Sequence, residues 1–271
     1  MTTTTSIGVF DSGFGGLTVL RALIEHLPSA RFTYIGDTAR LPYGSKSQKT
    51  IARYAVESAR FLVEERGADY LVIACNTASA LAMDAIRAAV KVPVLGVIEP
   101  GAAEAAKQKG DVAVIATAAT VESHAYAAAC ARRGVRTLEK ACPLLVPLVE
   151  EGWIDHPVTR QVAGIYLKEL VQEAVIKEFT PHTLVLGCTH YPLLKTLLEE
   201  LVPRGMKVID SAEATARAAA EMVSSTAASL PATEPAELHF YATDSVEKFK
   251  RLGSRFLNRE LGEVRLVDLG G

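Results

Sequence analysis

Short β-rich apolar runs alternate with longer helical patterns along almost the whole chain, and no other feature narrows the fold as much. Runs of this kind, bounded by turn residues and separated by helical stretches, mark βαβ units. The chain therefore reads as α/β, with parallel sheets covered by helices. Strands are expected to start at Ile7, Phe32, Tyr70 and Val92, and again at Val112, Val135, Thr183 and Lys207. In both sets of four the spacing runs short, long, short. Spacing alone is weak support for a repeat, because βαβ units are commonly about 30 residues long. The third run of each set says more. "LVIACNT" at 71–77 and "LVLGCTH" at 184–190 each place a cysteine just past the apolar stretch. Two similar halves facing each other would bring Cys75 and Cys188 into one cleft from opposite sides.

Composition narrows the function class. A chain of 271 residues that is 49% hydrophobic suffices for one large domain or two ordinary ones. The formal net charge is -2, from 29 basic and 31 acidic residues, with no block of one sign. Nothing there resembles a nucleic-acid footprint. No apolar run approaches the roughly 18 residues a membrane span needs, and "MTTTTSIGVF" has no basic leader, so a cytoplasmic protein is expected. Cys75, Cys130, Cys142 and Cys188 are far apart and lack C-x-x-C spacing, which argues for reduced thiols.

Two segments break the alternation. Residues 139–157 are too interrupted by Pro143, Pro147 and Pro157 to form one helix, and long irregular stretches in compact domains are often functional. Residues 224–237, rich in small residues and proline, read as a surface loop. The tail beyond them reads strand, helix, strand, a unit able to complete either sheet.

Ligands of open parallel sheets bind beyond the carboxyl ends of the strands, so the residues there are the candidates. "DSGFGG" follows the first run. Its glycines fit a tight turn better than a dinucleotide loop, since Thr18 stands where the third glycine belongs. Asp11, a carboxylate at a strand end, requires a partner. "GDTARLPYGSKS" at 36–47 is a loop, either a lid or an ordinary surface segment. After Cys75 come Asn76, Thr77 and Ser79, hydrogen-bond donors suited to a substrate carboxylate. After Cys188 come Thr189 and His190. An imidazole there can lower a thiol's pKa or relay its proton. His190 and Cys188 lack the second cluster that a zinc site would need, so no metal is expected. Thr117 and Thr120 either bind a substrate oxygen or serve the local structure, with Thr120 capping the following helix. Glu150 or Glu151 would reach the cleft unless both are merely solvated. Cys130 and Cys142 read as structural.

The stretches "FDSGFGGLTVL", "GDTARLPYGSKS", "ACNTASA", "GVIEPGA", "CPLLVPLVEEG", "LGCTHYPLL" and "VIDSA" resemble, in order, the motifs of the glutamate racemases in the aspartate/glutamate racemase family. The resemblance implies interconversion of L- and D-glutamate, the D-enantiomer going to peptidoglycan. It implies that Cys75 and Cys188 are the two catalytic thiols, assisted by Asp11, Glu150 and His190. Ser12, Tyr43, Gly44, Asn76, Thr77, Thr117, Thr120 and Thr189 fall on its substrate-contacting positions. It also implies two pseudo-symmetric α/β domains, residues 1–97 with 210–271 and residues 98–209, with the active site between them. One departure is Ala116, where that family more often has glycine.

Inverting an α-carbon needs a base on one face and an acid on the other, and two thiols meet that need. The expected pairing gives Asp11, and secondarily Glu150, to Cys75, and His190 to Cys188. No lysine follows these strand ends and no phosphate-cradling loop occurs, so no cofactor is expected. The rival readings are a racemase for aspartate or another amino acid, a cysteine amidohydrolase with His190 as base, and a non-catalytic amino-acid-binding module. The oligomeric state is open, a homodimer included.

Overall fold

The computed structural model describes residues 5–226 and 235–270; residues 227–234 of the expected surface loop lie outside them. Its strands are β1 (Ser6–Asp11), β2 (Arg31–Gly36), β3 (Tyr70–Ile73), β4 (Val94–Gly96), β5 (Asp111–Ala116), β6 (Thr137–Ala141), β7 (Pro181–Gly187), β8 (Lys207–Asp210), β9 (Glu237–Ala242) and β10 (Val264–Leu266). They form two sheets, one in the order β10-β9-β2-β1-β3-β4 and one in the order β6-β5-β7-β8. Every pairing is parallel. The eight expected strands all form, within two residues of their anticipated starts.

The repeat seen in spacing is also a repeat in topology. Within the first sheet the order β2-β1-β3-β4 matches β6-β5-β7-β8 position by position. In each half the chain adds a strand on one side of the first and then crosses to its other side. That creates a switch point between β1 and β3, and another between β5 and β7. Crevices open at such points beyond the carboxyl ends of the strands. The tail joins the first sheet, with β9 pairing along the whole of β2 and β10 forming the edge.

Burial explains the sequence patterns. Ser6–Asp11 is buried at every position, as expected of a strand covered on both faces. The helix Leu17–His26 puts Leu17, Val19, Leu20, Ala22 and Leu23 into the core. A continuous hydrophobic cluster joins the two halves, running from Phe14 and Leu17 through Ile115, Leu145 and Leu186 to Phe249 and Phe256. The irregular segment resolves into a helix at Leu145–Glu150 and a longer one starting at Pro157. Pro147 sits in the first turn of the former, where its missing N–H costs no intrahelical bond. Among the described residues no helix is long and apolar enough to cross a membrane.

Candidate active site

The strand ends of both halves meet in one cleft of about 430 Å³. The first half contributes Ser12 after β1, Tyr43 and Gly44 after β2, and Cys75, Asn76 and Thr77 after β3. The second contributes Thr117 after β5, Glu150 after β6, and Cys188, Thr189 and His190 after β7. Both cysteines line this single space, as the repeat predicts. Of the thirteen positions that the resemblance implies, Asp11 and Thr120 stay off its wall; both are fully buried.

Two glycines let the halves approach. A Cβ on Gly15 would lie 2.2 Å from the Thr189 hydroxyl, and one on Gly44 would lie 2.8 Å from Thr117 Cβ. In both cases a backbone of the first half meets a side chain of the second. The loop carrying Gly44 is tied to a buried carboxylate. Asp37, fully buried, accepts hydrogen bonds from Arg40, from the Tyr43 hydroxyl and from Thr243 (2.9 Å). The Tyr43 hydroxyl is thus turned to Asp37, and only the rest of that residue is left for the cleft.

Cys75 is the N-cap of the helix Asn76–Leu81. The Ala78 N–H donates to its sulfur (3.4 Å), and its own S–H points to the Ser12 hydroxyl (3.4 Å). Burial, reinforced by the Asp11 carboxylate, pushes this thiol up to about 12 against those hydrogen bonds. It is a neutral acid at neutral pH.

Cys188 has a different neighbour. His190 Nδ1 lies 3.8 Å from its sulfur, and Nε2 lies 3.2 Å from Glu150. Burial works against the imidazolium. The hydrogen bonds and charges of Cys188 and Glu150 outweigh it and push His190 up to about 10. Glu150 is correspondingly held below the usual carboxylate range: burial is overcome by His190 and by Lys248, whose Nζ lies 3.7 Å away. Glu150 therefore sits with Cys188 and His190, and the expected secondary pairing with Cys75 is corrected.

Asp11 acts from off the cleft wall. Its carboxylate lies beneath the cleft, accepting the Gly13 N–H (2.8 Å), and burial raises its pKa although the His190 charge opposes this. A floor position between the two thiol-bearing segments lets its charge act on both Cys75 and His190.

Thr77, Thr117 and Thr120 form a triangle of hydroxyls across the halves, with separations of 3.0, 3.2 and 2.9 Å. Thr117, not Thr120, is the helix N-cap. Ser79 is spent on the Ile73 carbonyl and the Val97 N–H. Cys130 and Cys142 are buried away from the wall.

Three contacts were not read from sequence. Lys248 and Phe256, both on the tail helix Val246–Leu257, touch Glu150 and the edge of the His190 ring. Tyr126, an aromatic in an alanine-rich helical pattern, bonds Asn76. The only signal for the first two was the strong amphipathic pattern of the tail, which demands burial without naming the partner.

The profile of the family described as Asp/Glu/Hydantoin racemase matches residues 7–219. A glutamate racemase of Koribacter versatilis is 54% identical over 288 residues, covering 98% of each chain. Among solved structures, glutamate racemase from Francisella tularensis in complex with D-glutamate superposes with a TM-score of 0.89 at 34% identity, covering 98% of each chain. The Thermus thermophilus glutamate racemase, in complex with β-chloro-D-alanine, gives 0.85 at 41%, again with 98% of each chain covered. An aspartate racemase from Picrophilus torridus shares the fold alone, at 20% identity and 0.56 over 82% of this chain and 94% of that one.

Proposed function

The chain belongs to the Asp/Glu/Hydantoin racemase family, and we propose that it interconverts L- and D-glutamate by moving the α-proton between Cys75 and Cys188. The observation that carries this reading is the pair of strand-end thiols, from equivalent positions of two repeated halves, facing one cleft.

The two thiols have different neighbours, as a one-base, one-acid step requires. Cys75, held neutral by burial and Asp11, is a proton donor at rest. On the other face the His190 imidazolium is placed to hydrogen-bond a Cys188 thiolate. Taking the α-proton at Cys188 and giving one at Cys75 inverts the centre; the reverse passage exchanges the roles. Asp11 adjusts Cys75, while Glu150 and His190 adjust Cys188.

Glutamate carries two carboxylates, yet the cleft wall has neither Lys nor Arg among the described residues. Recognition falls to neutral donors, namely Ser12, Asn76, Thr77, Thr117, Thr189 and nearby backbone amides. Fixed dipoles in a water-poor space stabilise the carbanionic transition state without neutralising the substrate outright. The Tyr43–Gly44 loop closes the space. The corresponding domains are residues 1–97 with 210–271, and 98–209. D-glutamate for peptidoglycan is the product use that fits the bacterial relatives.

Incubation with L-glutamate in deuterium oxide, without added cofactor, tests the reading. Loss of optical activity with one deuterium entering at the α-carbon is expected. No inversion, or hydrolysis of an amide analogue through a covalent thioester, would overturn it.

A further inference from the structure

We propose that Tyr126 is a positioning residue that fixes which end of the Asn76 side-chain amide faces the substrate. The inference rests on the glutamate reading and deepens it.

Tyr126 belongs to the helix Ala125–Ala131 of the second half, whereas Asn76 follows Cys75 in the first. The phenol is fully buried and its hydroxyl donates to Asn76 Oδ1 at 2.7 Å. A phenol has one proton to give. Its second partner, Ser211, is also buried and sits just beyond β8. Burial raises the phenol well above its ordinary range, so it stays a donor throughout the working pH range.

That donation decides the orientation of the amide. An Asn side chain has one carbonyl and one NH₂ end, and the two can exchange by a flip unless a neighbour discriminates them. With Oδ1 held by Tyr126, Nδ2 is the end left over. It is buried, has no hydrogen-bond partner among the described residues, and belongs to a residue on the cleft wall. A buried NH₂ left unsatisfied is costly, and an anionic ligand relieves that cost. The reversed amide would present a carbonyl oxygen to a dianion in a cleft without Lys or Arg. Tyr126 therefore acts on affinity through Asn76, and it also links the two halves across the cleft floor.

A double-mutant cycle separates this role from packing. Tyr126→Phe removes one oxygen and keeps the ring in place. The expected result is a roughly tenfold loss in kcat/KM, carried mainly by KM, with little change in melting temperature. In the Asn76→Ala background the same substitution is expected to change kcat/KM by less than about twofold, because the group it orients is gone. Equal losses in both backgrounds, or none in either, overturn the proposal. The Asn76 side-chain amide signal in NMR, identified by its disappearance in Asn76→Ala, gives a reading that needs no turnover. It should be sharp in the parent protein and broadened by flipping in Tyr126→Phe; an unchanged signal overturns the proposal. Failure of the parent protein to invert glutamate would sink the substrate reading instead.

Discussion

The two cysteine sites have the same backbone origin and different electrostatics. Both thiols stand just past the third strand of a repeated unit, at the switch point of a sheet. Around Cys75 the neighbours are a serine, a helix N–H and the buried Asp11 carboxylate. Around Cys188 they are an imidazole and, behind it, a carboxylate that also meets a lysine. Duplication of a fold places two like groups symmetrically. It does not give them like neighbours, and a one-base, one-acid mechanism requires that the two sides be set differently.

Thermodynamics restricts where the difference can be seen. Enantiomers have equal free energy in water, so kcat/KM is the same in both directions for any variant. Unequal sides must show in half-reactions, or in kcat and KM taken separately. The largest effect is expected for the thiols themselves. Cys75→Ser and Cys188→Ser should each lose racemisation by at least about 10³-fold. Each variant should still exchange the α-hydrogen of one enantiomer with solvent, and the enantiomer should be opposite for the two. Exchange of the same enantiomer by both would break the two-face assignment.

Asp11→Asn comes next, with a loss on the order of 10²-fold, since the carboxylate acts on both sides. It also sharpens the comparison through pH. Cys75 in the folded protein keeps its proton up to about 12, while an unfolded thiol loses it near the ordinary value of 9.0. Stability linked to this group is therefore full below pH 9 and lost as pH rises toward 12. Removing the Asp11 charge lowers the upper limit, so urea melts of Asp11→Asn should show a shallower alkaline decline than the parent protein. Parallel declines would remove Asp11 from the account of Cys75.

Glu150→Gln tests the other side and should cost about tenfold. His190 is charged below about 10 partly because of Glu150. The contribution of its imidazolium is present at low pH and lost as pH rises through that value. Without the carboxylate the loss begins earlier, and the alkaline limb of the kcat/KM profile moves to lower pH. An unmoved limb would mean that Glu150 does not hold the His190 proton.

Much of this was legible in the sequence because it is local. The strand runs, the cysteines after the third run of each half, and the companions Asn76, Thr77, Thr189 and His190 all follow from period and chain neighbourhood. What was missed depends on contacts between distant residues. Sequence says only that Asp11, a strand-end carboxylate, needs a partner; the Gly13 N–H bonded to it and the close approach of Gly16 show that it is buried off the cleft wall. Sequence alone pairs Glu150 secondarily with Cys75, whereas the packing of the second half sets it against His190, and nothing local ties Lys248 or Phe256 to that site. Tyr126 is the same case, because a buried aromatic on a helix reads as core until its hydroxyl is seen to have a partner in the other half.

The smallest effect should come from a lesion that favours neither thiol. Gly44 lies against Thr117, and a Cβ there would stand 2.8 Å from the Thr117 Cβ, closer than side chains tolerate. The loop must shift by a few tenths of an ångström, since Thr117 is fixed by its hydroxyl partners Thr77 and Thr120. Overpacking of this size costs about 1 kcal/mol, which corresponds to a roughly fivefold rise in KM. Because a Cβ on Gly44 would meet Thr117 and neither cysteine, Gly44→Ala should raise KM for both enantiomers alike and leave both kcat values nearly unchanged. That is the opposite of the pattern expected for Glu150→Gln, whose kcat values should diverge. Unequal kcat values in Gly44→Ala, measured by following optical rotation from each enantiomer, would mean that the loop helps to set the protonation of one side, and the two thiols could then no longer be compared through their immediate neighbours alone.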